Sequence, residues 1–322
     1  MSKPSKIDYI IFNNQVKCPM LGLGTYLMNG EDCYQAVKEA IRIGYRHIDT
    51  ASYYKNEDEV GRAVNDSIKE FKIKREDLFV VTKLPSSCNI PSLVVPALKK
   101  SLSLMNLSYV DLYLVHTPIS KVPKYDSEPT LENKTDKDGN ILFNDMKVSE
   151  VWVEMEKCSK LGLAKCIGVS NFNSEQIKEI VANCDIKPVT NQVEVHPYLQ
   201  QHKLRNFCEG LGIYLTAYRP LGGPKPKPGK TPVLKDPIIA QISEKHMKSP
   251  VQILLRWHIE LKTQLVIAKT SNFEHIAANT DIFDFDLDEE DMLQLKSIDC
   301  GIRYCSFDDN KGSKQYPFHI EY

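Results

Sequence analysis

Residues 44–61 read GYRHIDTASYYKNEDEVG, and the rest of the chain is organised around this stretch. It opens with an apolar, β-prone run that is typical of a buried strand, and this run ends at the carboxylate of Asp49. Tyr54 follows five residues later, and a polar segment then opens a helix. We expect this carboxylate and phenol to be joined by cations from elsewhere in the chain, namely Lys83 and His116.

The composition limits the classes of protein that need to be considered. The chain has 322 residues, a net charge of -1 and 42% hydrophobic residues, which suits one domain over residues 1–322. The near-neutral charge gives no reason to expect nucleic acid or a membrane as partner, and no apolar run approaches the ~18 residues of a membrane span. Nine cysteines without a CxxC pair, and no secretory signal pattern, favour a reduced, cytoplasmic setting.

Short apolar runs alternate with helical patterns along the chain. Candidate strands cover residues 20–25, 45–49, 78–83, 110–116, 166–170, 189–194, 214–218 and 265–269. Helical patterns cover residues 31–43, 58–71, 91–105, 148–160, 175–182, 203–211, 250–261, 273–279 and 288–298. Continuous apolar strands indicate a parallel sheet covered on both faces, and eight of them favour a closed barrel over an open doubly wound sheet.

The remaining segments decorate this barrel. Residues 8–20 predict a β-hairpin with Asn13-Asn14 at its turn. Residues 117–147 and 221–236 are long loops that follow the fourth and seventh strands, on the face where barrels place active sites. Surface insertions without a function are the alternative. We therefore predict an α/β protein: a (β/α)8 TIM barrel with an N-terminal β-hairpin, two extra helices and long C-terminal-face loops.

Asp49, Tyr54, Lys83 and His116 fall at or just past the ends of successive strands, so a barrel brings them to one mouth. Any one of these residues alone is more simply explained as a helix cap or a solvated strand end. Four of them at matching strand ends indicate a functional site. An ammonium beside a phenol lowers the pKa of the phenol. We therefore predict that Lys83, held by Asp49, lowers the pKa of Tyr54 so that it protonates a carbonyl, which His116 orients. Hydride would come from a nicotinamide cofactor.

The later strands carry groups that suit such a cofactor. Polar side chains at three strand ends could bind the carboxamide and stack on the ring: Ser170, Asn171, Gln192 and Tyr218. Residues 269–272, Lys-Thr-Ser-Asn, precede a helix and offer an anion site. The GLG at residues 22–24 lacks the spacing of GxGxxG, so it is not a Rossmann fingerprint.

Taken in order, the motifs LGLGTY, GYRHIDTASYYKNEDEVG, VVTKLP, LYLVHTP, IGVSNFN, NQVEVHPYL, TAYRPLGG and IAKTSNFEHIAAN resemble the aldo–keto reductase superfamily, of the aldose/aldehyde-reductase type. The resemblance runs from about Met20 to the C-terminal PFHIEY. It implies an NADPH-dependent reductase of aldehydes or ketones in which Asp49, Tyr54, Lys83 and His116 form the catalytic tetrad and Tyr54 is the general acid. It implies that the cofactor lies across the C-terminal face, on Gly24, Thr25, Tyr26, Asp49, Ser170, Asn171, Gln192, Tyr218, Arg219, Leu221, Gly223, Lys269, Thr270, Ser271, Asn272, His275 and Asn279.

Two positions depart from the family pattern. The family usually has arginine where His275 stands, and a neutral histidine is a weaker partner for the 2′-phosphate. We expect NADPH preference to survive through Lys269 but to be reduced, so that NADH is tolerated. A serine is common at the position of Arg219, whose guanidinium could bind the pyrophosphate and compensate.

The resemblance also implies an altered substrate pocket, with walls from Tyr26, Tyr53, Tyr54, Pro85, His116, Thr117, Tyr304, Cys305 and Phe307. Pro85 and Thr117 replace aromatics of the relatives, which should widen the mouth for a bulky apolar carbonyl such as a ketosteroid, terpenoid or aromatic aldehyde. A non-enzymatic auxiliary or lens-type protein is one alternative. Reduction of a steroid C=C bond is another, but His116 stands where such relatives carry glutamate. A TIM-barrel isomerase would not explain Tyr54 with Lys83. The family allows a monomer or a weak homodimer.

Overall fold

The computed structural model describes residues 8–223 and 231–322. Its strands are β1 (Tyr9–Ile11), β2 (Lys17–Pro19), β3 (Leu21–Gly24), β4 (His47–Asp49), β5 (Phe79–Leu84), β6 (Val110–Val115), β7 (Ala164–Ser170), β8 (Thr190–Glu194), β9 (Tyr214–Tyr218) and β10 (Gln264–Ala268). Strands β3 to β10 form a closed parallel barrel in which β10 pairs with both β9 and β3. The predicted (β/α)8 fold is confirmed.

Six of the eight barrel strands are buried along their whole length, and β7 and β9 are buried except at Lys165, Tyr214 and Tyr218. Every residue of β5 and of β6 is buried, as expected for strands that are covered on both faces. The parallel register sets Gly24 beside Asp49 and Asp49 beside Val81. The carboxyl ends of neighbouring strands therefore lie level with one another at one end of the barrel.

The helices are α1 (Gly30–Ile43), α2 (Glu57–Phe71), α3 (Pro91–Met105), α4 (Val148–Lys160), α5 (Ser174–Asn183), α6 (His202–Gly210), α7 (Pro237–His246), α8 (Pro250–Glu260), α9 (Phe273–Ala278) and α10 (Glu289–Ser297). Helices α7 and α10 are the two additions to the βα repeat. Periodicity located α10 but not α7, which buries only Ile239 and Ile242. Its start nevertheless has a clear cap, because the Asp236 side chain accepts a hydrogen bond from the Ile238 N–H.

The predicted hairpin is present as β1 and β2, and it covers the end of the barrel opposite the strand ends described above. Phe12, just after β1, packs against Phe79 and Tyr214, the first residues of β5 and β9, with ring centroids 6.1 and 5.8 Å apart. The Asn13 side chain at the turn donates to the Pro188 carbonyl at 3.0 Å. The hairpin thus closes the amino-terminal end of the barrel.

The predicted long loops lie at the other end. Residues 117–147 form an irregular ribbon with antiparallel bridges at Lys121–Phe143, Pro123–Asn133 and Thr135–Ile141. Within the predicted 221–236 loop, residues 224–230 lie outside the described residues, and Val233–Lys235 forms a short 3-10 helix. Among the residues described, no helix combines the length and apolar character that crossing a membrane requires.

Candidate active site

A buried ion pair lies at the carboxyl ends of β4 and β5 and points toward a phenol. The Lys83 Nζ donates to Asp49 Oδ1 at 2.6 Å and to the Thr50 carbonyl at 2.8 Å, and it lies 3.3 Å from the Tyr54 hydroxyl. Lys83 is 0% and Asp49 3% exposed. Tyr54 is on a 3-10 turn, Ser52–Tyr54, directly after β4. The structure thus brings together the acid, phenol and amine that the sequence analysis singled out.

His116 completes the cluster from the residue after β6. Its ring makes an edge contact with the Tyr54 ring, with centroids 5.7 Å apart. Loss of hydration, with a smaller contribution from the nearby Lys83 ammonium, lowers the pKa of His116 to about 3. The imidazole is therefore neutral at physiological pH, and one ring nitrogen can donate a hydrogen bond without carrying a charge.

The predicted direction of the Tyr54 pKa shift is wrong for this structure. Burial raises the pKa of Tyr54 well above its usual value, and the negative charge of Asp49 acts in the same direction. Burial also lowers the pKa of Lys83, against the opposing effect of Asp49. The phenol therefore keeps its proton throughout the neutral range. The Lys83 Nζ is placed to stabilise the phenolate only when that proton leaves.

A second group of predicted residues forms a hydrogen-bonded network around this cluster. Asn171 donates from Nδ2 to the His116 carbonyl and to Ser170 Oγ, both at 3.0 Å, and its Oδ1 accepts from the Tyr218 hydroxyl at 2.8 Å. Gln192 Nε2 donates to Asp49 Oδ2 at 2.8 Å, while Ser170 Oγ donates to the Gln192 carbonyl at 2.8 Å. The network links β4, β7, β8 and β9 and holds the side chains around the Asp49–Lys83 pair in place.

Several predicted ligand residues are engaged inside the protein instead. Thr25 is fully buried, and its hydroxyl and N–H both donate to the Asp49 carbonyl, at 3.1 and 3.0 Å. Asn279 is 5% exposed beside the Tyr45 hydroxyl. Asn272 Oδ1 caps α9 by accepting from the His275 N–H at 3.0 Å. Pro85 is buried and lines a cavity together with Ser52 and Glu57. Apart from Asn272, which is exposed, these side chains offer a ligand little surface.

The other predicted ligand residues surround the mouth. Tyr26 and Tyr53 are each 48% exposed, and the Tyr26 ring lies 5.1 Å from the Tyr54 ring. Lys269, Ser271 and His275 are exposed beyond β10. The rest are partly exposed or, like Gly24, packed at a strand end: Gly24, Thr117, Tyr218, Arg219, Leu221, Gly223, Thr270, Tyr304, Cys305 and Phe307. A Cβ at Gly24 would lie 2.8 Å from the Ile267 side chain, so packing requires glycine there.

The donor set beyond β9 and β10 fits a phosphorylated nicotinamide cofactor. Lys269 and His275 make no ion pair with the residues that the structure describes, so both remain available to an anion. Arg219 adopts a left-handed φ of 50° after β9, close to Cys305, and offers a further cation on the same face. In the described ranges, no cluster of His, Cys, Asp and Glu could hold a metal ion.

The roles of two buried side chains were not predicted from the sequence. Asn56 is fully buried, and its Nδ2 donates to the Thr25 and Met28 carbonyls, both at 2.8 Å, instead of capping α2. Glu194, also fully buried, accepts from the backbone N–H groups of Tyr304 and Cys305, both at 2.7 Å. This carboxylate anchors the C-terminal tail at the mouth. In the sequence, the only sign of these two roles is that Asn56 and Glu194 are polar residues near strand ends. The tail segment that Glu194 binds is more than 100 residues away in the chain, so no local pattern joins the two.

A closed barrel with this proton-bearing cluster at its mouth defines a barrel oxidoreductase suited to carbonyl reduction. The model of the Aldo/keto reductase family matches residues 20–299, and the chain belongs to this family. The resemblance found in the sequence is thereby confirmed.

Individual relatives agree over nearly the whole chain. The chain is 40% identical to aldo-keto reductase family 1 member C1 of Pongo abelii, over 99% of each protein. It is 39% identical to prostaglandin F synthase 2 of Bos taurus, over 98% of this chain and 99% of that protein. Among solved structures, the aldose reductase from Schistosoma japonicum matches with a TM-score of 0.90 and 35% identity, over 98% of this chain and 100% of the other.

Proposed function

We propose that this protein reduces a bulky apolar aldehyde or ketone to the alcohol with NADPH, and that Tyr54 is the general acid. The observation that carries the proposal is the Lys83 Nζ, buried and held by Asp49 at 2.6 Å, lying 3.3 Å from the Tyr54 hydroxyl. The similarity to prostaglandin F synthase 2, which is named for a prostaglandin product, supports a bulky apolar substrate. The similarity to an aldose reductase supports a sugar as the alternative substrate.

In this mechanism each residue of the cluster has one task. NADPH, when bound, supplies the hydride. Neutral His116 donates a hydrogen bond to the carbonyl oxygen and holds it beside the Tyr54 hydroxyl, which gives its proton to that oxygen. The Lys83 ammonium stabilises the phenolate that forms, and Asp49 keeps the ammonium charged and in place. Lys269, Ser271, His275 and Arg219 would hold the phosphates, and Tyr218 would lie against the nicotinamide ring.

The setting that we propose is cytoplasmic, with a monomer or a weak homodimer acting on a small molecule. All nine cysteines are free in the structure, which agrees with a reducing compartment.

The proposed activity is tested by following NADPH oxidation by the purified protein. Turnover of 4-nitrobenzaldehyde and of bulky ketones, with kcat/KM at least about tenfold above that for xylose or glucose, is the expected result, because burial of apolar substrate area against the tyrosine rings at the mouth is favourable. No oxidation with any carbonyl compound would favour the auxiliary role, and better turnover of sugars would overturn the substrate class.

His275→Arg is expected to strengthen NADPH binding by about tenfold and to leave NADH binding nearly unchanged. A guanidinium can pair bidentately with the 2′-phosphate, whereas an imidazole cannot, and a charge-assisted hydrogen bond contributes about 1.5–3 kcal/mol. Fluorescence titration of both cofactors measures the ratio. Lys269→Met is the matched control, and it should weaken the binding of NADPH more than that of NADH. Equal changes for both cofactors in His275→Arg would show that residue 275 does not contact the 2′-phosphate.

A further inference from the structure

Glu57, at the start of α2, is a buried acid that the mechanism above leaves unused. It is 4% exposed. Its Oε1 contacts Thr82 Oγ1 at 2.5 Å, and its Oε2 contacts Ser101 Oγ at 3.2 Å. Ser101 Oγ lies 3.0 Å from Ser52 Oγ, which lies 3.3 Å from the Lys83 carbonyl oxygen. A chain of contacts thus joins Glu57 to the backbone of Lys83 through the first residue of the turn that carries Tyr54.

The number of available hydrogens determines which of these contacts can be hydrogen bonds. The four contacts need four hydrogens, but the three hydroxyls supply only one each. If Glu57 is ionised, one contact has no hydrogen. If Glu57 is protonated, its Oε2–H donates to Ser101, Ser101 donates to Ser52, and Ser52 donates to the Lys83 carbonyl. Thr82 then donates to Oε1, and each of these four contacts becomes a hydrogen bond. Ser52 is also close enough to Glu57 to interact with it, and in the protonated form its hydrogen is directed to the Lys83 carbonyl instead.

The surroundings of Glu57 agree with the protonated form. Burial raises the pKa of Glu57, although the hydroxyls and the Lys83 ammonium oppose the shift. Besides Lys83 on β5, the titratable groups near the cluster include the buried Tyr113 phenol on β6. Lys100 on α3 and Cys88 also lie close and line a neighbouring cavity of about 110 Å³. This cavity also borders Glu57, Ser52 and Ser101, so protons can exchange with solvent.

We propose that Glu57 is a neutral carboxylic acid in the folded protein and acts as a positioning residue for the Tyr54–Lys83 pair. Through Ser101 and Ser52 it directs a hydrogen bond onto the Lys83 carbonyl, which joins the end of β5 to the turn that carries the phenol. The kinetic consequence rests on the proposed function, whereas the protonation state of Glu57 does not.

The protonation state is tested by infrared difference spectroscopy of wild type against Glu57→Gln at neutral pH. We expect the carbonyl band of a protonated carboxylic acid in wild type and its loss in the variant. Glu156→Gln is the matched control, because Glu156 is also 4% exposed but accepts from the N–H groups of Asp185 and Ile186 at 2.7 and 2.9 Å and pairs with the Lys160 Nζ at 3.5 Å. Glu156→Gln should therefore remove no such band. A wild type without the band would overturn the proposal.

The positioning role is tested by kinetics. Glu57→Gln can replace both hydrogen bonds of the neutral acid and should keep kcat within about twofold, whereas Glu57→Ala should lose about tenfold in kcat with NADPH affinity unchanged. Ser101→Ala breaks the same chain while keeping the acid, should lose kcat similarly, and serves if Glu57→Ala does not fold. Equal losses in Glu57→Gln and Glu57→Ala would refute a neutral role. A wild type that reduces no carbonyl compound would refute only the proposed function, since the infrared result still decides the state of Glu57.

Discussion

Replacing Tyr54 by phenylalanine is expected to lower kcat for aldehyde reduction by about 10²–10⁴-fold, the range for a positioned general acid. The phenol is the proton-bearing group beside the Lys83 Nζ, and burial keeps it protonated at neutral pH. Phenylalanine keeps the ring and its contacts with Tyr26 and His116 but removes the proton. Steady-state NADPH oxidation measures the loss, and a fluorescence titration should show unchanged NADPH affinity.

Tyr53→Phe is the matched control for this variant. Tyr53 is the adjacent residue on the same turn, but it is 48% exposed, and the mechanism uses none of its protons. We expect kcat to stay within about twofold of wild type, because the variant keeps the Tyr53 ring at the mouth and removes only a hydroxyl that takes no part in the proton transfer. Wild-type turnover by Tyr54→Phe would remove Tyr54 from the mechanism altogether.

The second large effect is expected for Lys83→Met, in both stability and activity. The variant leaves Asp49 buried with only the Gln192 amide and no cation, and breaking a buried ion pair costs about 3–5 kcal/mol. It also removes the group that stabilises the phenolate, so kcat should fall by at least about 10²-fold. Urea unfolding measures the free energy of unfolding, and NADPH oxidation measures the loss of activity.

The double variant Asp49→Asn/Lys83→Met separates these two effects. With no unpaired charge left in the core, most of the lost free energy of unfolding should return. Activity should stay low, because the ammonium is still missing. If the double variant were no more stable than Lys83→Met alone, the buried pair would not be the source of the loss. Recovery of activity would show that Lys83 acts only through stability.

The sequence was informative where topology alone determines position. In a parallel barrel a residue at the end of a strand lies at the mouth, so strand patterns were enough to bring Asp49, Lys83 and His116 together. The sequence was uninformative where side-chain packing decides. Whether Thr25 faces a ligand or the Asp49 carbonyl depends on contacts between strands, which no pattern in the chain reveals.

The pKa of Tyr54 shows the same limit for electrostatics. An ammonium beside a phenol lowers its pKa, but desolvation raises it, and the sequence names the neighbour without giving the degree of burial. Helix α7 was missed for a related reason. Its Asp-Pro start follows a proline-rich segment, and its few buried apolar residues produce only a weak helical period.

The pH dependence of kcat/KM for aldehyde reduction tests the central claim most directly. Reduction needs the protonated phenol, and a raised pKa keeps the proton on Tyr54 through neutral pH and releases it only in the alkaline range. His116, with a pKa of about 3, adds no transition near neutrality. The mechanism also needs the charge of Lys83, whose pKa burial lowers, so loss of the Lys83 proton contributes to the alkaline limb as well. We therefore predict a flat profile through neutral pH and an alkaline fall that is absent from the residual activity of Tyr54→Phe, because without the phenol Lys83 has no phenolate to stabilise. A fall near neutral pH, or an alkaline fall that persists in Tyr54→Phe, would contradict the assignment of Tyr54 as the acid.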